Sequence, residues 1–131
     1  MATTTATLTL SSADLTGDAL SLSSTATLTK AGTLTGLDQT TGVGRKTTTA
    51  TSQYTLVDKA DYGDDKAHKV YIKNTSTVAT EHAVITIESQ LLGRLYAGDW
   101  LLLPYNGDQD IKITPSVATA FTIEFMVIYE A

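Results

Sequence analysis

The chain lacks cysteine, long hydrophobic runs and a surplus of basic residues, and each absence argues against a class of protein. With no cysteine among its 131 residues, it cannot form a disulfide framework, a thiolate metal site or a cysteine nucleophile. No segment approaches the roughly 20 continuous apolar residues of a membrane-spanning helix. Nine basic residues against fourteen acidic ones give a net charge of −5. We therefore expect neither a membrane nor a nucleic-acid partner, because phosphate contacts need clustered lysine and arginine.

The first residues, Met-Ala-Thr-Thr-Thr-Ala, lack the basic start and the apolar run of a secretory signal peptide. We expect a soluble protein that is not exported by that route. The length fits one domain with one modest core. Hydrophobic residues make up 42% of the chain, which is too many for a wholly disordered protein.

Threonine dominates the composition, with 25 residues, of which 16 lie in the first 50 positions. Because its β-branched side chain suits a pleated strand and is poor inside a helix, this bias predicts an all-β protein.

The two halves of the chain differ in character. Residues 1–57 hold three acidic and three basic residues, and no aromatic residue precedes Tyr54. The sequence Thr-Ala-Thr-Leu-Thr occurs at 5–9 and again at 25–29, with leucines alternating with polar residues as in a half-buried strand. Residues 30–51 are rich in glycine and threonine. We predict an extended N-terminal arm or outer strands over 1–51 and a β-sandwich core over 52–131, together forming one structural domain.

The second half contains clear strand patterns separated by turn residues. Leu101–Leu103 is an apolar run that suggests a strand buried on both faces. Asn106-Gly107 is typical of a hairpin turn. The remaining inward faces are marked by alternating apolar residues: Val70 and Ile72; Ala83, Ile85 and Ile87; Ile111 and Ile113; Phe121, Ile123, Phe125, Val127 and Tyr129. Strands at this spacing predict an antiparallel sandwich, and we favour a jelly-roll-like version.

No residue pattern specifies catalysis, a metal or a cofactor. His68 and His82 have no ligand-spaced neighbours, and both are interpreted as ordinary strand-end residues. The oxygen-rich stretch Asn106–Asp110 lacks the glycine and glutamate of a calcium loop. Asp58, Asp61, Asp64 and Asp65 are interpreted as a solvated loop. Glu88, Glu124 and Glu130 fall on polar strand faces, where exposure is simpler than a glycosidase pair. We predict a protein that is not an enzyme and has no cofactor.

What remains is binding surface. The interface candidates are aromatic and basic residues, the types that dominate interface energetics: Arg45, Lys46, Arg94, Tyr96, Trp100 and Tyr105. For Trp100, the only tryptophan, a core position beside the leucine run is favoured over an interface position.

Several segments resemble small structural proteins of tailed bacteriophages, and more narrowly the jelly-roll cement or head-decoration proteins. The segments are Leu-Asp-Gln-Thr-Thr-Gly-Val-Gly-Arg-Lys at 37–46, Lys-Val-Tyr-Ile-Lys-Asn at 69–74, Gly-Arg-Leu-Tyr-Ala-Gly-Asp-Trp at 93–100, Leu-Pro at 103–104, Asp-Ile-Lys-Ile-Thr-Pro-Ser at 110–116 and Phe-Thr-Ile-Glu-Phe-Met at 121–126. Together they span most of residues 37–130.

The resemblance implies a homotrimer of β-sandwiches that is assembled in the host cytoplasm. It would sit on the outer capsid surface of the virion and clamp neighbouring major capsid subunits. Two alternatives stay open: a tail or fibre component, and a carbohydrate-binding β-sandwich in which Tyr96, Trp100 and Tyr105 stack against sugars.

Overall fold

The computed structural model describes residues 2–131, which form antiparallel strands and one short 3-10 helix, Lys59–Asp61. No helical segment of this range is long and apolar enough to cross a membrane. The strands are β1 (Thr5–Ser12), β2 (Leu20–Thr27), β3 (Gln39–Thr40), β4 (Gly44–Thr48), β5 (Tyr54–Val57), β6 (His68–Asn74), β7 (His82–Ile87), β8 (Gln90–Tyr96), β9 (Trp100–Tyr105), β10 (Ile111–Pro115) and β11 (Phe121–Tyr129).

Two antiparallel sheets form a β-sandwich, and β1 and β2 form a separate hairpin. In the first sheet β11 lies beside β6, and β6 beside β9, while β3 and β4 pair with different parts of the other edge of β11. In the second sheet the order is β5-β10-β7-β8. The all-β antiparallel sandwich predicted from the sequence is confirmed.

The strand order is nested. β4 pairs with β11, β5 with β10, β6 with β9 and β7 with β8. This order arises when one long antiparallel hairpin folds over into two sheets. It brings the last strand of the chain against the fourth, so the fold closes only when distant parts of the sequence meet.

The core lies between the two sheets. β6 alternates regularly between buried and half-buried residues, with Val70 and Ile72 fully buried. Ile111 and Ile113 from the second sheet are also fully buried, and Phe121 and Ile123 from β11 complete the same cluster. The inward faces predicted for β6, β7, β10 and β11 are therefore confirmed, because only one face of each strand carries a continuous row of bulky apolar side chains.

The sequence analysis placed the start of the sandwich core at residue 52, but the first sheet already includes strands that precede this residue. β3 and β4 belong to the first sheet, and residues 44–48 pair along β11 from Phe125 to Phe121. The sequence of β4, Gly-Arg-Lys-Thr-Thr, contains no large apolar residue and so shows no hydrophobic alternation. The strand forms because the edge of β11 presents backbone groups that need hydrogen-bond partners.

Two further details of the second half were predicted wrongly. Asn106-Gly107 does not turn a hairpin, since β9 belongs to the first sheet and β10 to the second. Gly107 has a φ of +91°, and a Cβ there would lie 2.1 Å from the Gly63 carbonyl oxygen, so the crossing loop needs glycine. Leu102 is exposed on the outer face rather than buried, because β9 has the core on one side only.

Candidate interaction surface

The hairpin β1–β2 is an amphipathic ribbon. Opposite residues pair in regular register, so side chains of like character fall on the same face. One face, here called the leucine face, is apolar apart from Ser12 and Ser24 and carries Ala6, Leu8, Leu10, Leu20, Leu22 and Ala26. The other face consists only of hydroxyl side chains: Thr5, Thr7, Thr9, Ser11, Ser21, Ser23, Thr25 and Thr27.

Most of the leucine face is exposed, although Ala6 and Leu20 are half-buried. β1 and β2 pair only with each other among the described strands, and Leu8, Leu10 and Leu22 are each 40% exposed or more. The sixteen strand residues include no charged side chain. The sequence pattern predicts strands with one buried face. In the structure most of that apolar face is exposed to solvent.

The base of the hairpin is anchored on the sandwich. Leu28 and Leu37 are buried, and their backbones are joined by a 2.9 Å hydrogen bond from the Leu37 N–H to the Leu28 carbonyl. Gly36 packs so closely that a Cβ would lie 2.1 Å from the Ala2 carbonyl oxygen. The hairpin therefore projects from a fixed root formed by residues 28–37.

Glu130 fastens this root to the end of the chain. Its Oε2 accepts hydrogen bonds from the backbone N–H of Ala31 at 2.7 Å and of Ala67 at 3.3 Å, and Lys66 Nζ lies 3.6 Å from Oε1. The Ala31 N–H, then the Ala67 N–H and the Lys66 ammonium, hold the pKa of the Glu130 carboxyl below its ordinary value against the opposing effect of burial. The exposed polar position predicted for Glu130 is wrong, because these donors draw its side chain inward.

We expect the Glu130 carboxylate to make the stability of the fold sensitive to acid. Because the folded-state pKa is lowered, its contribution is fully present above the ordinary value of 4.5 and is lost as the pH falls through the folded pKa. Denaturant unfolding of the wild type and of Glu130→Gln, measured from neutral pH downwards, should give free energies that differ most at neutral pH and converge in acid. Glu81→Gln is the control. A difference in unfolding free energy between the wild type and Glu130→Gln that stays constant with pH would contradict the assignment.

An aromatic groove adjoins the base of the hairpin. It is lined by Tyr71, Trp100 and Leu102 from the outer face of the first sheet, together with Met126 and Ile128 from β11. Lys73 of β6, Leu28 and the chain from Thr4 to Thr7 also line it. Ala6 belongs to the leucine face and Thr5 and Thr7 belong to the hydroxyl face, so the groove borders both faces at the base of the ribbon.

The sequence favoured a core position for Trp100 and an interface position for Tyr105, and the structure reverses both positions. Trp100 is 54% exposed and so does not belong to the core, whereas Tyr105 is 5% exposed and packs within it. The Tyr105 hydroxyl donates a 2.8 Å hydrogen bond to the Gln109 carbonyl. The two residues lie on opposite faces of β9, and only the face bearing Tyr105 meets the second sheet.

Arg45 and Lys46 are exposed on β4 but already have partners in this chain. Arg45 donates to Glu124 Oε2 from Nε at 3.2 Å and from Nη2 at 3.0 Å, and the Tyr71 hydroxyl donates to Oε1 at 3.1 Å. The Arg45 guanidinium, followed by the Tyr71 hydroxyl, lowers the pKa of the Glu124 carboxyl. Lys46 Nζ lies 4.7 Å from the centre of the Tyr54 ring, within cation–π range.

Arg94 and Tyr96 lie on β8, whose outer edge has no strand partner within residues 2–131. Both are exposed, as are Leu91 and Leu92 on the same strand. The Tyr96 ring lies 5.2 Å from the His82 ring. The structure thus separates the six candidates: Trp100 lines the groove, Arg45 and Lys46 lie on β4, Arg94 and Tyr96 lie on β8, and Tyr105 is buried.

Most of the residues considered for chemistry have structural partners, but His82 Nδ1 is buried without a hydrogen-bond partner among residues 2–131. His68 and His82 begin β6 and β7, as predicted. The buried His68 accepts from the Glu130 N–H at Nδ1, so its Nε2 carries the proton and donates to the Gly63 carbonyl at 3.0 Å. Glu88 pairs with Lys59 at 3.0 Å. Over residues 2–131, no three His, Asp or Glu side chains are grouped so that they could hold a metal ion.

No protein-family model, curated protein or solved structure matches the chain.

Proposed function

We propose that this chain is a structural protein of a virus particle, a cement or decoration protein that stabilises the head by binding major capsid subunits. It acts as a homotrimer on the outer capsid surface and has no catalytic role. The observation that carries the proposal is the hairpin β1–β2, an uncharged ribbon that pairs with no other strand among residues 2–131.

Such a ribbon suits an assembly subunit. Isolated two-stranded hairpins are marginally stable in water, so a ribbon of this length is expected to be completed by a neighbour. Its outer edges offer unpaired backbone groups for strand addition. Because its strands carry no charge, covering them removes no ion from water, and the desolvation cost is small.

The sandwich supplies a second kind of contact. The edge strand β8 presents Leu91, Leu92, Arg94 and Tyr96 to solvent. Exposed apolar residues accompanied by Arg and Tyr have the composition of an interface centre. A rigid jelly-roll body with a projecting ribbon can therefore touch two neighbouring subunits at once, which is what a clamp on a shell requires.

A carbohydrate-binding module is the second candidate, favoured by the exposed ring of Trp100 in the groove. The aromatic platform suggested by the sequence is reduced, however, because Tyr105 is buried and Tyr96 lies against His82. Tyr71 is the aromatic residue that shares the groove with Trp100. A tail or fibre component is the remaining alternative, and it differs from the cement protein in location rather than in surface.

Cryo-electron microscopy of virus particles that contain this chain, compared with particles prepared without it, tests the proposal. We expect added density of sandwich size on the outside of the head, in contact with more than one capsid subunit. Purified chain added to the deficient heads should restore that density and sediment with them.

Density at the tail or fibre, with none on the head, would transfer the assignment to the alternative location. Failure to bind either part of the particle, together with glycan-array binding that Trp100→Ala abolishes and Tyr96→Ala leaves intact, would replace the assembly role with carbohydrate recognition.

A further inference from the structure

We propose that the leucine face of the hairpin β1–β2 is the surface through which copies of this chain associate with one another. This inference rests on the proposed role as an assembly subunit and names the partner of its most exposed apolar surface: a second copy of the same chain.

The pattern of the face suits association with its own copies. Leu10 lies directly opposite Leu22, and Leu8 and Leu20 flank this pair, so the leucines lie between the middle of the ribbon and its tip. Alanines 6 and 26 face each other nearer the sandwich, where bodies of neighbouring copies approach and space is short. Ribbons gathered around a symmetry axis can therefore turn their leucines inward and leave the hydroxyl face in water.

Charge favours association of two copies through the ribbon over association through the sandwich. Each chain has a net charge of −5, yet none of the charges lies within the two strands. Copies that meet through the ribbon bring no like charges into the strand contact, whereas the sandwich carries most of the charged residues. A neutral apolar ribbon also gives no electrostatic reason to select an oppositely charged partner.

The area of the ribbon points to a closed, symmetric contact. A strand of 8 residues spans about 27 Å, and a two-stranded ribbon is about 10 Å wide, so one face offers about 270 Å² in projection. A standard interface takes about 800 Å² from each partner. One ribbon face alone is smaller than a standard interface, whatever its partner. In a ring each ribbon contacts two others, so the faces of several copies are buried together, and the groove that holds Ala6 and Trp100 lies beside this contact.

The test compares two triple variants by size-exclusion chromatography with light scattering over a dilution series. Leu8→Thr/Leu10→Thr/Leu22→Thr keeps β-branched strand formers in place of the leucines. The matched control, Thr7→Ser/Thr9→Ser/Thr25→Ser, changes the hydroxyl face. We expect the wild type and the control to form the same oligomer. The leucine variant should dissociate with an apparent dissociation constant raised about a hundredfold or more, because three partly exposed leucines lose their burial.

A crosslinking experiment does not depend on those variants folding as intended. Because the chain has no cysteine, Leu10→Cys places a single thiol at the centre of the leucine face and Thr9→Cys places one on the opposite face. Mild oxidation should join copies of the Leu10→Cys chain into disulfide-linked dimers and leave the Thr9→Cys chain largely monomeric on denaturing gels. Equal crosslinking of the two would overturn the inference.

A wild type that stays monomeric at every concentration, or a leucine variant as oligomeric as the wild type, would also overturn it. The outcome is separable from that of the proposed function. Oligomers that depend on the leucines but do not bind heads would support this contact and contradict the capsid role. A monomeric wild type that binds heads through its leucines would contradict this contact, because the occupant would be a capsid subunit.

Discussion

Replacing Phe121 with alanine is expected to lower the free energy of unfolding by about 3–5 kcal/mol. Phe121 is the largest of the fully buried side chains and is 1% exposed. It begins β11, the strand that pairs with both β4 and β6. Truncation would leave a cavity at the strand on which the nested order closes, because the sheets cannot collapse around a missing ring without breaking that pairing.

Denaturant unfolding followed by fluorescence and far-ultraviolet circular dichroism would measure the loss. Leu91→Ala is the matched control, since Leu91 is 69% exposed and its truncation should change stability by no more than about 0.5 kcal/mol. A Phe121→Ala loss no larger than that of the control would mean that β11 is not held in the core as described.

Replacing Asn74 with alanine is expected to destabilise the fold by about 1–3 kcal/mol, because a buried acceptor loses its donor. Asn74 is fully buried, and its Nδ2 donates to the Leu95 carbonyl at 3.0 Å and to the Glu81 carbonyl at 3.4 Å. Its Oδ1 accepts from the Ser76 N–H at 2.9 Å. One side chain thus joins the end of β6 to β8 and to the loop before β7.

Asn74→Asp separates hydrogen bonding from packing. It keeps the size and one acceptor, loses the donor and introduces a buried charge, so it should be at least as destabilising as alanine at neutral pH and recover on acidification. Asn106→Ala, at an exposed position, is the control. An Asn74→Asp chain as stable as the wild type at neutral pH would show that the donor is not needed. The backbone of Asn74 also pairs with Gly98 and Asp99, so loss of this junction should disturb Trp100, and tryptophan fluorescence would report it.

Much of the sandwich could be predicted from the sequence because β6, β10 and β11 each carry a row of apolar residues that continues along one face only. Only one orientation of such a strand buries its apolar residues, which is the orientation with the apolar row facing the core. β4 could not be predicted in this way, since Gly44–Thr48 contains no large apolar residue and is held by backbone pairing with β11. Asn106-Gly107 misled for a related reason: a positive φ is needed in a crossing loop as well as in a hairpin turn.

The candidate surface, too, could be predicted only in part from the sequence. The alternation of leucine with threonine and serine in residues 5–12 and 20–27 is visible in the sequence, and it predicts a strand with a face to bury. It does not say what that face lies against. The burial of Glu130 carried no sequence pattern either, because its donors come from Ala31 and Ala67, 99 and 63 residues away.

The residue pattern alone establishes that this protein is built from strands and which side of the main strands faces inward, because β-branched residues and a period of two admit few other structures. The packing of the two sheets establishes which face of β9 meets the second sheet, and with it that Tyr105 is buried and Trp100 exposed. The tertiary arrangement also leaves Leu8, Leu10 and Leu22 of the hairpin exposed. Both depend on how distant strands stack, and local patterns carry no information about the partner across the core or across a subunit boundary.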